Sequence, residues 1–88
     1  MGVRKQKKIR VVYRKLGKHS TIAHITCGLA YPGERLIEID ERLVGYSLFL
    51  TLIHEYLHVR FPDWSETRIT KESSQLAKLL WKEGYRKV

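Results

Sequence analysis

The chain has 88 residues, with 17 Lys+Arg against 9 Asp+Glu and a formal net charge of +8. That length suits one compact domain spanning 1–88 and is too short for two. An apolar fraction of 43% argues against wholesale disorder. The only cysteine, Cys27, rules out an internal disulfide or a cysteine-rich zinc finger and fits a reducing compartment.

The basic start, residues 1–8, is expected to be flexible and lacks the apolar stretch and cleavage site of a secretory signal. Ile9 to Arg14 is β-branched and aromatic, which predicts a strand. Leu16 to Ser20 reads as a turn, and Thr21 to Thr26 as a second short strand or an irregular edge that Cys27 to Tyr31 continues. Pro32-Gly33 signals a turn, and Arg35 to Ile39 alternates as a strand with one buried face does.

Asp40 then offers an N-cap for a helix from about Glu41 to Arg60. Its apolar residues cover most of the circumference, which predicts a central, largely buried helix. Phe61-Pro62 breaks it, and a second helix is expected over Glu66 to Lys82, with Ile69, Ser73, Leu76, Ala77 and Leu80 facing inward. The expected fold is α+β: a small sheet of about three strands, then two helices packed on it. The longest apolar run, around Leu48 to Leu57, is interrupted by Thr51, His54 and Glu55, so no membrane span is expected and the cytoplasm is the default location.

The first helix carries His54-Glu55-Tyr56-Leu57-His58. Histidines four apart project from one helix face, so their nitrogens can meet one Zn²⁺ at roughly 2.0–2.1 Å. Glu55 sits beside them, where a carboxylate can take a proton from a metal-bound water and pass it to a leaving amine. Burying two unliganded histidines and a carboxylate in so apolar a helix would be costly, which favours the metal over a chance pattern. A catalytic site needs a third protein ligand and an open position. No histidine or cysteine follows His58, so the downstream candidates are Asp63, Glu66, Glu72 and Glu83. About Ile69, Glu66 and Glu72 lie roughly 60° to either side, and Ser73 and Ala77 move the inward direction toward Glu66. Glu66 therefore ranks first, Glu72 next and Asp63 third. The competing reading of Glu66 is local, as the last residue of an Asp63-x-x-Glu66 capping box.

His54-Glu55-Tyr56-Leu57-His58 followed by Phe61-Pro62-Asp63-Trp64-Ser65-Glu66 resembles small gluzincin-like zinc metallopeptidases, among them minigluzincins and short phage-encoded predicted metallopeptidases. The resemblance implies a minimal zincin-like catalytic domain. It implies zinc held by His54, His58 and Glu66, with Glu55 as general base. It also implies an extended peptide substrate laid along a strand within Cys27 to Ile39.

His19 and His24 read as turn and strand residues, with substrate binding an alternative for His24. Cys27 reads as a buried thiol, or else as a zinc ligand that keeps an enzyme latent. Tyr31, Tyr56 and Tyr85 could each stabilise an oxyanion, and spacing selects none of them. Trp64 and Trp81 read as packing residues joining the helices. The expected function is a zinc metallopeptidase acting on protein or peptide. The alternative is a nucleic-acid-associated protein whose basic termini hold polyanions and whose zinc is structural or serves cleavage of DNA-bound proteins.

Overall fold

The computed structural model describes residues 8–16 and 27–85. His19, His24 and the segments 1–7, 17–26 and 86–88 lie outside the described residues, and with them the expected edge over Thr21 to Thr26. The architecture is α+β: a three-stranded mixed sheet followed by two helices. The strands are β1 (Arg10–Arg14), β2 (Gly28–Tyr31) and β3 (Leu36–Asp40), and the helices α1 (Gly45–Arg60) and α2 (Glu66–Lys82).

The sheet order is β1-β3-β2, with β1 parallel and β2 antiparallel to the central β3. A short 3-10 turn over Pro32–Glu34, closed by Arg35 in the left-handed region at φ 51°, reverses the chain between β2 and β3. Alternation along β3 sends Ile37 and Ile39 toward the helices, where they form the core with Val59 and the flanking Ala30, Leu48 and Leu52. Glu38 points to the other face, where it accepts from Arg14 through two guanidinium nitrogens at 3.0 Å each.

Asp40 does not cap α1. Its carboxylate is buried and accepts from the backbone N–H groups of Arg42 and Leu16 and from the Arg42 guanidinium. Those charged donors hold its carboxyl far below the usual range despite burial. The residue therefore ends β3 and pins the loop, and the helix starts only at Gly45, behind Val44, which gives no side-chain cap. Nor is α1 largely buried: only Glu55, Leu57 and Val59 are fully so. A three-stranded sheet covers one side of the helix and α2 another, which leaves its flanks half-open. Trp81 of α2 packs edge-on against Tyr46 and beside Phe49, joining the two helices near the start of α1.

Candidate metal centre

The two helices and the outer edge of β2 enclose a cleft of about 420 Å³ lined by Gly28, Leu29, Ala30, Pro32, His54, Glu55, His58, Pro62 and Glu66. His54 and His58, one turn apart on α1, present rings 4.9 Å apart. Glu66 opens α2 directly across from them. Its carboxylate lies 3.1 Å from Nε2 of His54 through one oxygen and 2.9 Å from Nε2 of His58 through the other. One ligand atom from each of the three residues falls within 4.8 Å of the others. Ligand atoms around a tetrahedral zinc sit roughly 3.3 Å apart, so the cluster has nearly the spacing a bound ion requires.

The capping-box reading of Glu66 does not hold. Ser65 is the N-cap of α2, its Oγ accepting from the N–H of Arg68 at 3.1 Å, and Glu66 is the first helical residue. That two-residue offset from the expected cap at Asp63 frees the carboxylate to turn toward α1. Asp63 and Glu72 are not in the cluster. Cys27 is half-buried just before β2 and lies outside the cleft lining.

Ser73 joins the site through His54, a role that its spacing did not reveal. It is buried, donates to the carbonyl of Thr70 at 3.2 Å, and sits 3.4 Å from Nδ1 of His54. Where that proton stays on Thr70, Ser73 Oγ accepts an Nδ1–H of His54, the roles of the ring nitrogens depending on the tautomer. In that tautomer the Nε2 lone pair faces the Glu66 carboxylate, a pair of acceptors that either a proton or a metal ion would bridge. Ser73 lies on the inward face expected from sequence. What marked it was its polarity among Ile69 and Ala77, seven residues and so two turns beyond Glu66.

Glu55 is buried against β2. Gly28 approaches so closely that a Cβ there would lie 2.9 Å from Glu55 Cγ and from Thr51 Cγ2. Burial pushes the Glu55 carboxyl above its ordinary value, against the partial opposing effect of His58. Burial lowers His54 as well, with Glu66 pulling the other way, which favours the neutral imidazole that a metal needs.

The edge of β2 facing the cleft is unpaired by any described strand. Asp40 N–H donates to the Cys27 carbonyl, so in this register Cys27, Leu29 and Tyr31 turn their backbone groups to β3. Gly28 and Ala30 turn theirs outward, toward the cleft. None of the three tyrosines weighed as oxyanion donors lines it. Tyr31 donates to Glu38 on the opposite face of the sheet, Tyr56 lines an apolar groove with Ile53 and Leu76, and Tyr85 is exposed beyond α2. A separate cavity of about 350 Å³ beside Trp81 contains no imidazole, thiol or carboxylate. Comparison with protein families, characterised proteins and solved structures finds no match to this chain. No helix among the described residues is long and apolar enough to cross a membrane.

Proposed function

We propose that the chain is a zinc-dependent metallopeptidase, with zinc held by His54, His58 and Glu66 and with Glu55 as general base. The observation that carries this reading is the Glu66 carboxylate set between two Nε2 atoms of the facing helix, at 3.1 and 2.9 Å, in a cleft that also holds a buried carboxylate. Two imidazoles and one carboxylate form a donor set suited to catalytic zinc, with a position left for water or substrate. Bound there, the metal would acidify a water and polarise the carbonyl under attack.

The chain's own residues would do the rest. Glu55, kept ready to hold a proton by its burial, would take one from the attacking water and deliver it to the leaving nitrogen. The outward N–H and C=O groups of Gly28 and Ala30 would pair with an extended peptide laid antiparallel along β2. Such pairing reads backbone rather than sequence, which suits protein or peptide as the substrate class. The lone thiol suits a reducing, cytoplasmic setting.

The nucleic-acid reading has less support in the site. All nine acidic residues are among those described, while Arg4, Lys5, Lys7, Lys18, Arg86 and Lys87 lie outside them. Part of the basic ends on which that reading depends is thus outside the described residues. The test is elemental analysis after loading with zinc, with turnover of an unfolded protein. About one Zn²⁺ per chain is expected, lost in His54→Ala and Glu66→Ala, while Glu55→Gln keeps the metal and loses roughly 10²-fold or more in rate. A wild-type chain that takes up no zinc would overturn the proposal.

A further inference from the structure

The turn between α1 and α2 carries a column of four planar side chains. Phe61 and Trp64 stack with centroids 4.2 Å apart and planes inclined by 7°. The Arg68 guanidinium lies 4.0 Å from the centre of Trp64, and that of Arg60 5.0 Å from the centre of Phe61. Arg60 belongs to the last turn of α1, two residues past His58, and Arg68 to the first turn of α2, two past Glu66. The column therefore ties together the helix ends that present these side chains.

Glu66 needs such support. Its side chain is 67% exposed, and beyond the two histidines its partner is Thr70 Oγ1 at 3.4 Å. Nothing buried grips the carboxylate, so its place opposite His54 and His58 is inherited from the backbone at the start of α2. Local hydrogen bonds close each side of the turn: Phe61 N–H to the Leu57 carbonyl at 2.8 Å, Trp64 N–H to the Phe61 carbonyl at 3.0 Å, and Arg68 N–H to Ser65 Oγ at 3.1 Å. Each acts within a single turn of chain. The stacked rings and their arginines span the whole segment, and aromatic pairs with cations over their faces are directional enough to hold an angle.

We propose that the Arg60–Phe61–Trp64–Arg68 column, with Trp64 at its centre, is a positioning device that holds Glu66 at ligand spacing from His54 and His58. This inference rests on the metal-site reading above. Trp64 is not one of the three metal-binding residues and does not line the cleft, so it would act through the geometry of the turn. A column that served the fold alone would lower the melting temperature and leave the zinc affinity of the folded protein untouched.

The experiment measures zinc affinity by competition with a chromophoric chelator, at a temperature where every variant is fully folded, for wild type, Trp64→Ala, Trp64→Phe and Arg68→Ala. It is paired with crystal structures of the metal-free wild type and Trp64→Ala. Trp64→Ala should bind zinc about tenfold to a hundredfold more weakly, as loss of a support to a metal ligand does. Trp64→Phe, which keeps the stack, should restore most of the affinity, and Arg68→Ala should fall between. In metal-free Trp64→Ala, the separation between His58 Nε2 and Glu66 should lengthen from 2.9 Å. Zinc affinity equal to wild type in Trp64→Ala, or an unchanged separation, would overturn the proposal. Should Trp64→Ala fail to fold, Arg68→Ala decides by the same affinity criterion. A wild type that binds no zinc would sink the metal-site reading alone, and the separation would still judge the column.

Discussion

Replacing Gly28 by alanine inserts one methyl group between β2 and α1 at the base of the cleft. The new carbon would lie 2.9 Å from Thr51 Cγ2 and Glu55 Cγ, and 3.2 Å from Glu55 Oε2. Carbon atoms rest at about 3.5–4.0 Å, so roughly 0.6–1 Å must be found. Thr51 is β-branched and stiff at χ1, and Glu55 Cγ is not the free end of its chain, so neither yields easily. Either the strand moves off the helix or Glu55 leaves its rotamer. Overpacking of this kind costs about 1–3 kcal/mol, which in a chain this small lowers the melting temperature by roughly 4–20 °C. A base displaced by about 1 Å can lose on the order of 10² in rate. The three atoms nearest the methyl belong to Glu55 and Thr51 rather than to His54, His58 or Glu66, so zinc binding should persist. The assay is a thermal melt, zinc content and turnover of an unfolded protein, Gly28→Ala against wild type. Unchanged melting and unchanged turnover together would refute the argument that Gly28 is small because Glu55 needs the space.

Ser73→Ala should weaken zinc binding by about tenfold while keeping the fold, because His54 loses the acceptor that sets its tautomer; chelator competition measures this, and ¹⁵N shifts of the His54 ring report the tautomer. Asp40→Ala should cost about 1–3 kcal/mol through the orphaned buried N–H of Leu16, read by denaturant unfolding. Because the Asp40 carboxyl is depressed in the folded protein, its stabilisation is present above the ordinary 3.8 and lost as pH falls through the lower folded value; acid unfolding of wild type and variant should diverge accordingly.

Features that depend on spacing within one element were legible from the residues alone. The i, i+4 step from His54 to His58 puts both rings on one face of any helix, and α2 spans the expected Glu66 to Lys82 because its apolar period and the Pro62 break are local signals. The α+β class followed from the same kind of pattern, strands in the first half and helices in the second. Where a residue's partner lay far along the chain, the sequence was silent or misled. Asp40 has the chemistry of an N-cap, yet Arg42 and Leu16 claim its carboxylate, so α1 begins at Gly45. Glu66 and Glu72 were nearly symmetric about the inward face of α2, and only the packing of that helix against α1 brings Glu66 alone to the histidines. The closeness of Gly28 to Glu55, and the contact of Ser73 with His54, are distances between elements. Helical periodicity gives a side chain its direction, but the gap across to a neighbouring element is set by how all the intervening side chains pack.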